Sequence, residues 1–266
     1  MKIGLIAGGL RLPLIWARAA WQQGHRVTGL ILDTEAEEFE PYCEALYSLP
    51  AGELDRVINT LHQEGITQVV MMGKVAKERA LDHSQFDARF LALLQGLDDL
   101  TTDHLMLAVV EELKSEGIEV LKQTTFLEDL LPAPGQLTAR GPDEKTGREL
   151  EFGLRMSRAI GELDIGQTVV IKDRFVVAAE AVEGTDATIA RAGRLAAETV
   201  VVKAAKPKQD FRFDVPLVGL ETLEVMCQNK VKALGLEAGR CLILEKREFI
   251  RRAEEAGIVV SALEGE

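Results

Sequence analysis

Two stretches in the latter half of the chain hold the residue types that phosphate chemistry uses. "AAEAVEGTDATIA", residues 178–190, sets Glu180, Glu183 and Asp186 beside Gly184 and Thr185. At a strand-to-helix junction this brings a hydroxyl, a carboxylate and exposed backbone amides together, which suits a phosphate, a sugar hydroxyl or Mg²⁺ held through oxygen. Thr185 as a plain helix cap is the competing reading. "VVKAAKPKQDFRFDVP", residues 201–216, places Lys203, Lys206 and Lys208 near Asp210 and Asp214 in an extended segment broken by prolines. Lysines would offset pyrophosphate charge there, while carboxylates hold a divalent cation or orient water. A solvated charged loop is the alternative.

The first half offers a weaker set. In "KIGLIAGGLRLP" an apolar run ends in Gly8 and Gly9, and the helix that follows would present free amides to an anion near Leu10 and Arg11. The spacing is not G-x-G-x-x-G, and a glycine pair can also be a tight corner. "MMGKVAKERAL" puts Gly73 and Lys74 directly after a buried strand, at the edge where open α/β sheets bind ligands. Asp33 ends the second strand, where a ribose-binding acid sits in dinucleotide folds; it keeps a nicotinamide oxidoreductase as a rival, and could equally cap a helix. Thr102 or Asp103 is expected to cap the helix that begins there.

Cys43, Cys227 and Cys241 lack C-x-x-C spacing and read as buried free thiols. His25, His62, His83 and His104 form no H-x-x-x-H pair and read as surface or capping residues.

The elements that must position these residues alternate. Ile3–Ala7 reads as a strand, Pro13–Gln23 as a helix and Val27–Leu32 as a strand, a βαβ unit. Strands at Ala45–Leu49, Gln68–Met72 and Ile118–Leu121 alternate with helices at Glu53–Glu64, Phe86–Gln95 and Asp103–Ser115. Strands crowded with Val, Ile and Leu argue for a mostly parallel sheet covered on both faces. "LPAPGQLTARGP", 131–142, breaks the rhythm and reads as a linker between a domain at 1–131 and another at 143–266. Beyond it come a helix at Thr146–Glu162, a hairpin from "TVVIK" and "RFVVAAEAVEG", a helix from Thr185 and a strand at Thr199–Lys203. A helix at Gly219–Leu234, a strand at Cys241–Leu244, a helix at Arg247–Ala256 and a strand at Ile258–Ser261 complete an α/β half with a mixed sheet.

With 266 residues, two domains are expected. A net charge of -12 argues against broad nucleic-acid binding, so an anionic ligand must be met locally. No window is apolar enough to span a bilayer, and the N-terminus lacks a signal-peptide pattern, which points to the cytoplasm.

In this order the segments resemble the UDP-2,3-diacylglucosamine pyrophosphatases of the LpxI type, enzymes of lipid A synthesis. The resemblance is carried by "GLIAGG" with Pro13, "GKV" at 73–75, "DIGQ" at 164–167, "EAVEGTDA" at 180–187, "KAAKPKQD" at 203–210, "DVPLVGLET" at 214–222 and "EAGRCLILEK" at 237–246. It implies a Rossmann-like N-terminal domain and a C-terminal α/β catalytic domain, with substrate between them. It further implies Mg²⁺-dependent hydrolysis to UMP and 2,3-diacylglucosamine 1-phosphate (lipid X), with water directed at the sugar-side phosphorus. Asp214 matches the family's essential aspartate, as metal ligand or water-positioning base. Thr185 and Asp186 would grip phosphate or metal, with Asp186 and Asp214 as the metal ligands. Gln167 and Lys74 would contact the sugar or its linked groups, and Lys203 and Lys206 would neutralise the diphosphate. Gly9, Leu10 and Arg11 would meet the substrate through the glycine turn, where Leu10 stands in place of a third glycine found in many members. A homodimer and a peripheral contact with the inner membrane accompany the resemblance. Phe211, Phe213, Leu14 and Trp16 are candidates for an acyl groove, and a non-catalytic nucleotide-sugar sensor is the second rival.

Overall fold

The computed structural model describes residues 1–9, 11–73, 86–97 and 101–265. By internal contacts the chain divides into two compact units, one of Met1–Leu127 with Phe211–Asp214, the other of Glu128–Asp210 with Val215–Glu266. The segment that carries Asp214 therefore packs with the first unit, although its neighbours in sequence belong to the second.

The first unit is built on β1 (Lys2–Ala7), β2 (Arg26–Leu32), β3 (Ala45–Leu49), β4 (Gln68–Met72) and β5 (Glu119–Val120). Their order in the sheet is β3-β2-β1-β4-β5, and every pair is parallel, the Rossmann-like arrangement. The described helices are α1 (Arg11–Gln22), α2 (Leu54–Gln63), α3 (Ala88–Gln95) and α4 (Thr102–Ser115). Strands covered on both faces need no polar side, which is why "KIGLIA" and "QVVMM" show little alternation. Leu30, Leu61, Val69, Val110 and Leu113 form the core beneath α2 and α4. Trp16 of α1 is fully buried and donates its Nε1 proton to the Thr125 carbonyl at 2.7 Å, so it is a core residue rather than part of an acyl groove. Thr101 caps α4 by accepting the His104 amide, one residue before the positions expected from sequence.

The second unit contains β6 (Gly135–Gln136), β7 (Thr168–Lys172), β8 (Phe175–Ala179), β9 (Thr199–Lys203), β10 (Leu217–Val218), β11 (Val231–Glu237), β12 (Leu242–Ile243) and β13 (Val259–Leu263). Its helices are α5 (Glu144–Glu162), α6 (Thr185–Gly193), α7 (Leu220–Gln228) and α8 (Lys246–Glu255). The main sheet runs β6-β13-β11-β9-β7-β8 and is mixed: β9, β11 and β13 are parallel, while β6, β7 and β8 pair antiparallel. Both faces are buried. Val169, Ile171, Val200 and Val202 point to the side covered by Leu150 and Leu154 of α5. Val170 and Val201 point to the other, where Ile189, Met226 and Phe249 of α6, α7 and α8 meet them.

Three sequence expectations are corrected here. The helix read as Gly219–Leu234 ends at Gln228, and Val231–Glu237 is a strand in the middle of the sheet. Lys230, at φ 53°, makes the turn between them. The stretch read as linker contributes β6, whose Gly135 and Gln136 pair with β13. The strand read at Cys241–Leu244 is shorter and joins β10 in a separate two-stranded ribbon rather than the main sheet.

In the first sheet β1 and β4 lie side by side; the next strand after β1 is on one side of this pair and the next after β4 is on the other. The Gly8 amide donates to the Met72 carbonyl at 2.9 Å. Gly73 has φ +91°, and a Cβ there would lie 2.6 Å from the Gly8 oxygen and 2.7 Å from the Gly9 oxygen. Two backbones meet with no room for a side chain. Gly73→Ala should therefore lose about 1–3 kcal/mol or more of unfolding free energy. Urea titration followed by circular dichroism measures it, and wild-type stability would contradict the packing.

Candidate active site

The carboxyl ends of β9 and β11, the start of β7 and the end of β8 fall on one edge of the second sheet, because β7 and β8 alternate in direction. Thr168 and Lys203 are direct partners in the β7–β9 ladder. The Lys203 ammonium donates to Thr185 Oγ1 at 2.7 Å and to Thr168 Oγ1 at 3.3 Å. Glu180 Oε2 lies 3.9 Å from the same nitrogen, and Glu180 Oε1 accepts the Thr185 hydroxyl at 2.8 Å. Lys203 and Glu180 are 7% and 8% exposed, so an opposite pair of charges is buried at this edge. Glu180 Oε2 also accepts the Gln167 amide at 3.2 Å.

Thr185 opens α6. Its N-cap, Gly184, has φ 84° and offers no side-chain acceptor, so the first turn of the helix is left uncapped. The hydroxyl of Thr185 gives its single proton to Glu180 and receives one from Lys203. A ligand would therefore meet the backbone amide of this residue. Asp186 follows in the first turn, and its Oδ1 is buried with no hydrogen-bond partner among the described residues. Glu183 is committed to its own turn, where it accepts the Ala181 amide at 3.2 Å and pairs with Arg191 at 2.7 Å. Backbone hydrogen bonding first, and then Arg191, hold its carboxyl below the usual range.

Around the lysine loop the bonds are equally committed. The Gln167 side chain donates to Gln209 Oε1 at 3.1 Å, which also accepts the Lys206 amide at 3.0 Å. Ser157 of α5 donates to the Gln167 carbonyl and accepts the Ala204 amide. Lys206 is paired with Asp164 at 2.6 Å. Glu237, 1% exposed at the end of β11, accepts the Ala205 amide at 2.9 Å and an Arg158 proton at 2.6 Å. Cys241 lies beneath the Lys203 carbonyl, and burial pushes its thiol up to about 12. Cys43 is half-buried, but Cys227 is exposed, against the expectation that all three are buried.

In the first unit, Gln123 holds the segment that ends in Asp214. Its amide donates to the Phe211 carbonyl at 2.7 Å, and its side chain donates to the Met71 carbonyl of β4, also at 2.7 Å. Phe213 packs against the core of the same unit. The Asp214 segment is thereby tied to the strand that leads into Gly73.

A family model described as the LpxI N-terminal domain matches residues 2–130, and one described as the LpxI C-terminal domain matches residues 133–261. The chain belongs to the LpxI family. A relative, the UDP-2,3-diacylglucosamine pyrophosphatase LpxI of Caulobacter vibrioides, is 31% identical over 97% of this chain and 96% of its own. The crystal structure of N5-carboxyaminoimidazole ribonucleotide synthetase from Thermotoga maritima matches 68% of this chain at 15% identity, with a TM-score of 0.25. This chain spans 41% of that protein, and a likeness so slight carries no functional meaning.

Of the residues expected from sequence, the structure gathers Gln167, Thr185, Lys203 and Lys206 into one hydrogen-bonded edge of the second unit, with Asp186 in the adjoining helical turn. Gly9, Arg11 and Asp214 belong to the first unit. Leu10 and Lys74 lie outside the described residues. Sequence reasoning missed Thr168, Ser157, Gln123 and Glu237. Thr168 adjoins the quoted "DIGQ" and Glu237 opens the quoted "EAGRCLILEK", but Ser157 and Gln123 lie in a helix and a loop with no local sign of their partners.

Asp143 caps α5, the helix that supplies Ser157 and Arg158, by accepting the Thr146 amide at 2.7 Å. That bond lowers its native pKa. The stabilisation from its charge is present above the unfolded carboxylate value of about 3.9 and is lost as pH falls through the lower native value. Asp143→Asn keeps an acceptor but no charge. Wild type should be the more stable at neutral pH, with the gap closing in acid; denaturant titrations across pH would refute this by showing a pH-independent difference.

Proposed function

We propose that this chain hydrolyses UDP-2,3-diacylglucosamine, adding one water across the pyrophosphate to release UMP and 2,3-diacylglucosamine 1-phosphate. Membership of the LpxI family supports the reaction. The observation that carries the chemistry is the uncapped first turn of α6, with Lys203 bonded to Thr185 at its base. Free amides and the positive end of a helix dipole bind phosphate oxygens in a fixed direction. In this reading the amides of Thr185 and Asp186 receive the phosphate. Lys206 adds local positive charge, and Gln167 meets the sugar or its linked groups. On the family motifs that they match, Gly9, Leu10, Arg11 and Lys74 are further candidates for substrate contact, and Asp214 is the candidate to orient the attacking water.

A divalent cation fits the donor set. The buried, unpartnered Oδ1 of Asp186 is an oxygen that a cation would satisfy. The described residues contain no group of three or more His, Cys, Asp or Glu suited to a metal. Mg²⁺ commonly takes only one or two carboxylates beside phosphate and water. Asp186, and by its family motif Asp214, are the candidate ligands, and a bound cation would supply positive charge to the phosphoryl oxygens. A homodimer belongs to the same reading, supported by Phe175 and Val176, exposed apolar residues on the edge strand β8.

Incubating purified protein with UDP-2,3-diacylglucosamine and Mg²⁺ should yield UMP and the sugar 1-phosphate by mass spectrometry. Binding without UMP would instead make the protein a sensor. Asp214→Ala should lower kcat by about 10²–10⁴-fold while substrate affinity stays close to wild type; near-normal turnover would remove Asp214 from its role. Chelation by EDTA should abolish turnover and added Mg²⁺ restore it, and activity that survives chelation would exclude the metal.

A further inference from the structure

Glu180 reaches further than a structural carboxylate needs to. It leaves the end of β8 and contacts three other elements: the start of β7 through the Gln167 amide, α6 through the Thr185 hydroxyl, and β9 through the Lys203 ammonium. Its own amide donates to the Thr168 carbonyl at 2.8 Å, which fixes its backbone to β7. Thr168 Oγ1 also lies 3.3 Å from Thr185 Oγ1. Thr185 has one hydroxyl proton, and Glu180 takes it. That choice turns the lone pairs of Thr185 toward Lys203 and locks the first residue of α6 to the sheet edge. Gly184, with no side chain to cap the helix, supplies no competing anchor.

We propose that Glu180 is a positioning residue for phosphate binding and turnover. Through Thr185 and Lys203 it sets the direction in which the first-turn amides of α6 point. The proposal rests on the pyrophosphatase reading above. Glu180 is not a catalytic residue, because it acts on the ligand only through the helix that it aims. A misaimed amide costs most where charge develops, so the loss should fall on kcat more than on KM.

The test compares wild type, Glu180→Gln, Thr185→Ala and the double variant Glu180→Gln/Thr185→Ala, at a temperature where circular dichroism shows each to be folded. Glu180→Gln should lower kcat about 10–100-fold with KM changed less than about threefold. The double variant should be no slower than Thr185→Ala alone, because both changes remove the same link. Wild-type kcat in Glu180→Gln, or losses that multiply, would overturn the proposal. If the unpaired ammonium prevents folding, Glu180→Gln/Lys203→Met removes both charges; that variant should fold yet remain slow, and recovery of wild-type kcat would count against positioning.

Hydrogen exchange reads the same link without turnover. The Thr188 and Ile189 amides, the first to bond within α6, should exchange about tenfold faster in Glu180→Gln, whereas unchanged exchange would overturn the proposal. Faster exchange in a protein whose wild type makes no UMP would uphold the positioning role and overturn the pyrophosphatase reading instead.

Discussion

A buried ammonium and a buried carboxylate organise the candidate site. Lys203 and Glu180 are taken almost wholly out of water, and each charge would be costly alone. Two threonine hydroxyls and a backbone amide complete the hydrogen bonding, so the pair is satisfied rather than merely neutral. Removing one partner of such a pair typically costs about 3–5 kcal/mol, because the other is left buried and uncompensated. The cost falls on four elements together, β7, β8, β9 and α6, since the pair is where they meet. The start of α6 is therefore held by the sheet rather than by a cap of its own.

Each lysine of this edge meets a carboxylate that arrives from elsewhere in the same unit. Lys203 lies beside the buried Glu180, and Lys206 pairs with Asp164, whose side chain is largely exposed. What the edge offers an anion is direction: backbone amides at a helix end, backed by fixed dipoles that need no reorganisation. Glu237 and Arg158 extend the principle by pinning the Ala205 amide, and with it the loop after β9. In the first unit the comparable constraint is steric. Gly73 lets the β4 turn press on the backbone of Gly8 and Gly9, and Gln123 ties the Asp214 segment to β4.

The alternating strands and helices of the first unit were legible because parallel βαβ units repeat a strong signal: apolar runs of five or six residues, then an amphipathic helix closed by glycine. β3, β4 and β9 lie where the sequence places them. β11 was not legible. "VKALGLE" holds five good helix formers among its seven residues, follows α7 with only Asn229 and Lys230 between, and lacks the alternation of a half-exposed strand. Only burial between β9 and β13 makes it a strand. β6 was hidden for the opposite reason, since two residues among prolines and glycines carry no period at all.

By itself the sequence determined the two α/β halves, the family, and the glycine, threonine, aspartate and lysine motifs, because each of these is written in local order and composition. Tertiary structure alone decided which of those groups are free to act. Whether Thr185 offers a hydroxyl or an amide, and whether Lys203 faces a ligand or a carboxylate, depends on Glu180, Thr168 and Gln167 arriving from other strands. The segment of Asp214 joins the first unit through Gln123, a residue about 90 positions distant along the chain. Hydrogen bonds and burial act across space, and a linear pattern holds no record of which distant donor will meet which acceptor.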